Sequence, residues 1–420
     1  MEEIHMQIED DSSSIEHILR PISYISWLLG VGVARPRNCS KAVTIIIRIV
    51  YLAVCFVNIV YTVIDLSNVG SVFALESDIF ELIYFTNLVI IYVATFYYIY
   101  HGIRQYDKWP ELMDRIKDLD QEINRETLMN DRPVKNVEVL AILTIFAWYP
   151  LFPIVHVLYY YFTNLENIFM SDLIYYLITA RSLINSFVFD IVVYVLYHRL
   201  RTINQLIGQL NKLSEAPLIA LKIKQIRELH NGICDIVVMI NDIHGLHLLL
   251  CSVNCFTVVV STLLTVYLGI VEKNFAFILL SNCNWIMHTM QFGLMCWICT
   301  LARQESDKTG INIYAVVRNC TSVNHDKINR VKNQSYLDMP TENPDSEQDS
   351  KWSSSHNLNC VVIENLLRKN IDQDCIRNEI NDFSIQLQQY RVTFTACGFF
   401  EINNVLFSAC VKLAPHLSKL

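Results

Sequence analysis

Apolar residues in this chain gather into long runs separated by polar stretches. Six runs stand out, at residues 43–65, 79–100, 137–162, 173–197, 246–271 and 275–301. Each has about 20 residues or more, and at ~1.5 Å of rise per residue a helix of that length crosses a ~30 Å hydrocarbon core. Between the runs the pattern changes period. "DKWPELMDRIKDLDQEINRE" spaces Leu112, Ile116, Leu119 and Ile123 by four, three and four residues, and "RTINQLIGQLNKL" repeats the habit. This spacing predicts that the spans continue as helices beyond the bilayer. The stretch from Arg303 to Asn359, with "MPTENPDSEQDSKWSSSHN", has no apolar period and few aromatics, so a disordered linker is expected. From Cys360 the helical period resumes, with Ile363, Leu367, Ile371, Ile376, Ile380, Phe383 and Leu387 on one face. That face needs a partner, either the extended helices or another subunit.

The chain closes with "RVTFTACGFFEINNVLFSACVKLAPHLSKL". Its apolar run, Val405–Val411, covers as helix about 10 Å, roughly a third of the core. Lys412 resists burial and Pro415 is expected to interrupt the helix. The expected fold is therefore an all-α polytopic membrane protein, with six clear transmembrane helices, a partial seventh and long cytosolic helical extensions. Its expected divisions are an N-terminal segment (1–42), a six-helix bundle (43–301), a linker (302–359), an amphipathic anchor helix with the motif after it (360–400) and a short final segment (401–420).

Composition agrees with a membrane protein: 53% of the 420 residues are apolar and 18% charged. The acidic start, MEEIHMQIEDDSSS, does not read as a leader, and the first apolar patch, Ile22–Val33, is short and broken by glycines. The 13 cysteines show no framework spacing, so no structural disulfide is expected. Cys296 and Cys299 form a CxxC inside a run, where packing is the simpler reading.

The net charge of −8 matters less than where the basic residues lie. Lys and Arg number four before the first run, none in the first loop, seven in 101–136 and none in the third loop. They then number six in 198–245, one in the fifth loop and eleven in 302–395. The positive-inside tendency places the N-terminus and the even loops in the cytosol, in a multi-pass protein of the plasma membrane. This orientation is opposite to that of a G-protein-coupled receptor. The sequons at Asn38, Asn319 and Asn333 fall on the cytosolic side, where they are chance occurrences.

No metal-ligand cluster, phosphate loop or nucleophile–base spacing is visible, so the expectation is a non-enzyme without cofactors, metal or nucleic-acid partner. Three segments do carry information: "RELHNGICDIVVMINDIHGLHLLLCSVNCF" entering the fifth run, "CTLARQESDKTG" leaving the sixth, and "VTFTACGFFEIN", with Phe394, Thr395, Ala396, Cys397, Gly398, Phe399 and Phe400. In this order they resemble the insect gustatory receptor family, over essentially the whole chain. The "FTACGFF" element is nearest to the lineage of fructose receptors and internal nutrient sensors. The resemblance implies a ligand-gated cation channel, a homo- or hetero-tetramer of related subunits, with seven spans, a ligand pocket in the first six, an intracellular anchor and a pore lined by the seventh. The family's further apolar span, ending in T-Y and then Q-F, is missing here, so the chain resembles a receptor whose last exon is replaced or misjoined.

The outer halves of spans two to six are where such a pocket opens. They carry Asn87, Trp148, His156, Tyr176, Thr265, Asn284, Trp285 and His288, whose rings stack on sugars and whose polar atoms bond hydroxyls. Aromatic residues near span ends also form interfacial belts, which is the competing reading. Arg181, deep in span four, needs a partner or a wet cavity, with Glu81 and Asp190 in reach, whereas Arg48 is expected to snorkel. The functional expectation is a chemosensory subunit for a small polar tastant such as a sugar. The alternatives are a non-conducting subunit that modulates full-length relatives and a small-solute transporter.

Overall fold

A computed structural model describes residues 15–69, 78–163, 170–210, 213, 215–271, 275–337 and 374–417. Among them are helices α1 (Ile15–Ile18), α2 (Arg20–Leu28), α3 (Lys41–Val69), α4 (Asp78–Arg104), α5 (Lys108–Glu126), α6 (Arg132–Thr163), α7 (Met170–Leu210), α8 (Ala216–Val271) and α9 (Phe275–Leu337). A further helix, α10, spans 374–389. A two-stranded hairpin, β1 (Thr395–Ala396) and β2 (Phe400–Glu401), then leads to α11 (Asn404–Leu417).

Four helical segments among the described residues are long and apolar enough to cross a membrane: Lys41–Ile64, Ile178–Leu210, Pro217–Leu263 and Trp285–Val316. The runs 79–100 and 137–162 lie on α4 and α6, helices of 27 and 32 residues. α7 is the central helix, packed against α2, α3, α4, α5, α6, α8 and α9. Its Phe189, Val192, Val193, Val195 and Leu196 are fully enclosed. Apolar side chains also face outward, as Ile46, Phe56 and Val60 do on α3 and Leu140, Leu143 and Phe146 on α6. Hydrocarbon is the solvent in which such a surface is stable.

At the end where the basic loops gather, the helices continue well past the apolar runs. α5 buries Leu112, Ile116, Leu119 and Ile123, the stripe expected from its spacing. Arg199 of α7 grips Asp120 through two bonds of 2.7 and 2.9 Å and reaches Asp131 at 2.6 Å. Burial pushes the Asp120 carboxyl up, against the pull of Arg199. The face of α10 is covered by α8: Ile376, Ile380 and Phe383 are buried, and Arg227 pairs with Glu379 and Asp382. Its expected earlier turns, with Ile363, Leu367 and Ile371, lie outside the described residues.

Three expectations need correction. The linker does not begin at 302, because α9 runs on as helix to Leu337. Ala302, Glu305, Ser306, Thr309, Ile313 and Val316 form a buried stripe at helical spacing, and Asn204 of α7 donates to the carbonyl and carboxylate of Glu305 at 2.8 and 2.9 Å. The polar residues there are partners, not solvent-seeking. Arg48 does not snorkel, being 1% exposed. Pro415 does not end the last helix, since α11 runs through it to Leu417, 14 residues or about 21 Å of helix.

The glycine-broken patch also turns out to be structural. After α2 the chain turns through Gly30 (φ 64°) and Gly32 (φ 57°), and its carbonyls point into the bundle. Arg48 donates to the oxygens of Gly30 (2.7 Å), Gly32 (2.6 Å) and Tyr98 (3.1 Å). Arg181 donates to Leu29 and Gly30, both at 3.0 Å, and lies over the Tyr51 ring. Backbone oxygens, not Asp190, are therefore the partners of Arg181.

Candidate functional site

A polar kernel lies midway through the bundle where α4, α7, α8 and α9 meet. Tyr98 of α4 shares its hydroxyl with His247 Nδ1 of α8 (2.8 Å) and Ser182 of α7 (3.2 Å). His247 Nε2 lies 3.2 Å from Ser186. These groups satisfy one another. Beside them is a cavity of about 20 Å³, lined by Thr95, Tyr98, Thr179, Ser182, Cys251, Asn254 and His288 among others. Three of its polar atoms, Thr179 Oγ1, Asn254 Oδ1 and His288 Nε2, are buried without a hydrogen-bond partner. Three unmade bonds around one space constitute a demand for a polar guest, since each buried unsatisfied group costs about 1–3 kcal/mol. As it stands the space holds about one water molecule, so a larger guest requires the helices to part.

His288 is the sequence candidate that lines this cavity. One turn away Trp285 is half-buried against the core, and its indole nitrogen is also without a partner. Asn87 of α4 accepts a long bond (3.4 Å) from Thr257 of α8, linking two of the walls. Arg181 lines neither this cavity nor the larger crevice described next. The side chains of Trp148, His156, Tyr176, Thr265 and Asn284 lie outside the described residues. Thr179, Ser182, Asn254 and His247 escaped the sequence reading. Their signal is a polar stripe inside an apolar span: Thr179, Ser182, Ser186 and Asp190 follow at three, four and four residues on α7.

A second, larger space of about 1020 Å³ lies between α6, α7, α9 and α11. Its walls are mostly apolar. Leu140, Met290 and Trp297 stand exposed at its rim, and Asp190 and Gln291 lie buried within. Thr179 borders both spaces.

The motif "FTACGFF" forms the hairpin that joins this bundle to α11. Cys397 (φ 53°), Gly398 (φ 75°) and Phe399 make its three-residue turn, in which Phe399 N donates to Ala396 O at 3.0 Å, and positive φ at the first two positions matches the strand twist. Asn241 of α8 donates to Thr393 O at 2.9 Å and accepts from Thr395 N at 3.0 Å. Phe394 is buried edge-on to Phe189 of α7, with ring centres 6.0 Å apart. Arg303 of α9 pairs with Glu401, and Thr300 accepts from Asn404 N, the first residue of α11, at 3.0 Å. The hairpin thus ties three helices of the bundle to the start of the terminal one.

Comparisons with known proteins agree with this architecture. The model of the 7tm chemosensory receptor family matches residues 19–330. The fold is similar to that of the insect olfactory receptor OR5 from Machilis hrabei, at 12% identity and a TM-score of 0.58, covering 99% of this chain and 97% of that one. The same receptor in complex with eugenol is similar to the same degree. No curated protein matches the sequence.

Proposed function

Because the chain belongs to the 7tm chemosensory receptor family, we propose that it is a receptor subunit of the gustatory type, in which a small hydroxyl-rich ligand such as a sugar gates cation flow. One observation supports the ligand class: Thr179, Asn254 and His288, each with an unpartnered buried polar atom, all line one cavity. Hydroxyl groups, which both donate and accept, satisfy all three. The olfactory receptor of similar fold has been solved with eugenol, which supports a small organic guest. The Lys and Arg counts support an N-terminus and anchor in the cytosol, with the cavity reached from the opposite face. Assembly as a tetramer with itself or with related subunits rests on the family resemblance.

The test is agonist-evoked cation current in cells expressing the chain, alone and with a related subunit, against a panel of sugars and polyols. Thr179→Val and Asn254→Leu should each raise the half-maximal concentration about 5- to 150-fold, as expected for ~1–3 kcal/mol per lost bond, without reducing surface expression. Unchanged dose–response curves in both variants would remove the cavity from ligand recognition.

A further inference from the structure

The larger crevice contains a buried acid, which the polar cavity does not. Asp190 is 1% exposed, and its Oδ2 accepts one bond, from Gln291 Nε2 at 2.8 Å. Its Oδ1 is buried without a partner. Among the described lining residues there is no lysine, arginine or histidine. An apolar setting with a neutral amide donor as the sole partner does not hold a carboxylate, so Asp190 keeps its proton until a cation comes to lie beside it. Around it is a volume at the upper end of small-molecule sites, with apolar walls and a mouth between exposed Leu140, Met290 and Trp297.

We propose that this crevice is a second ligand site, specific for lipophilic amines, whose ammonium group pairs with Asp190 Oδ1 while the alkyl or aryl body fills the apolar walls. Charge complementarity selects this occupant. A lipid tail or a neutral alcohol fills the walls equally well but brings no cation with which Asp190 can ionise, and a fatty acid brings a second acid instead of a base. The crevice lies between α6, α7, α9 and α11 and the polar cavity between α4, α7, α8 and α9; the two share Thr179, but Asp190 and Thr144 line the crevice and not the cavity, so variants at those two residues test this reading separately.

The experiment uses the purified full chain in nanodiscs and a decylamine bearing a photoactivatable diazirine, with peptides mapped after labelling. Saturable labelling of peptides around 137–145 and 286–298 is expected, competed by decylamine at least tenfold better than by decanol or decanoate. Asp190→Asn, which keeps the acceptor for Gln291, should weaken decylamine at least tenfold and leave decanol unchanged. Thr144→Phe is a steric block that retains Asp190, because Thr144 bonds only its own helix backbone at Leu140. It should abolish the labelling, and it serves if Asp190→Asn fails to fold. Equal competition by decanol, or non-saturable labelling, would mean an apolar lipid-filled groove and overturn the proposal. Undiminished labelling of Thr144→Phe would do the same.

Discussion

Gly245 of α8 lies so near Cys397 at the hairpin tip that a β-carbon on the glycine would stand 3.2 Å from the Cys397 backbone nitrogen. The neighbour is backbone and cannot swing away, so the hairpin must lift. Gly245→Val should therefore destabilise the protein by about 1–3 kcal/mol, the usual cost of overpacking. A control lies on α7, where a β-carbon on Gly208 would meet nothing within 4 Å. There Gly208→Ala should stabilise by about 0.5–1 kcal/mol through helix propensity alone. Thermal unfolding of the purified variants in one detergent reads both, and equal shifts would show that the hairpin contact carries no weight.

Arg199 makes the second prediction. It is 1% exposed and bonded to two carboxylates. Removing one side of a buried pair leaves an uncompensated charge, so Arg199→Met should cost about 3–5 kcal/mol. Arg37 pairs with Glu16 and Asp114, but as a half-exposed side chain. Arg37→Met should cost about 0–1 kcal/mol. A comparable loss in both would mean that burial is not what strengthens the Arg199 pairs.

These two cases show what is legible in sequence. The runs and the α5 stripe follow from periodicity, because burial of one helix face leaves a mark every three or four residues. Leu112, Ile116, Leu119 and Ile123 could be placed this way, and so could Ile376, Ile380 and Phe383. Partners distant in the chain leave no such mark. Arg181 needed partners, and carboxylates were the obvious choice from sequence, but carbonyl oxygens of Leu29 and Gly30, some 150 residues earlier, supply them. The continuation of α9 past 302 was hidden for a related reason. Glu305, Ser306 and Thr309 look solvent-seeking until Asn204 and His230 are placed against them. Of the residues that line the cavity, His288 stands out in the sequence by type and position, while Thr179 and Asn254 look unremarkable until the helices assemble.

His230 gives a pH prediction in the part of α8 ahead of the apolar run 246–271. Its ring is fully buried between Ser306, Cys234 and the edge of Phe383, and burial lowers its pKa to about 4. In the unfolded chain the group titrates near 6.5. The folded state therefore refuses a proton that the unfolded state accepts. Stability is full above about pH 6.5 and falls as the pH drops toward 4, by at most about 3 kcal/mol from this group. His230→Gln should flatten that part of the stability–pH curve relative to the unaltered protein. Parallel curves for the two would show that His230 is not the group responsible.

The final prediction concerns how the bundle holds α11. Asn241 is the one side chain among those described that both donates to and accepts from the hairpin backbone, at Thr393 O and Thr395 N. Substituting leucine removes both bonds and leaves two backbone groups of a partly buried strand unsatisfied, at about 1–3 kcal/mol each. The loss should be local, because Phe394 remains wedged against Phe189 and Arg303 still pairs with Glu401. Hydrogen exchange should accordingly quicken by about 30-fold or more at residues 393–401 and in the first turn of α11, with little change in the centre of α7. Asn241→Asp keeps the acceptor for Thr395 N but sets a carboxylate oxygen against Thr393 O, so it should loosen the same segment. If exchange rises equally in α7 and the hairpin, the motif and the bundle core open as one unit. The hairpin would then be part of the core and not a separable joint between it and the terminal helix.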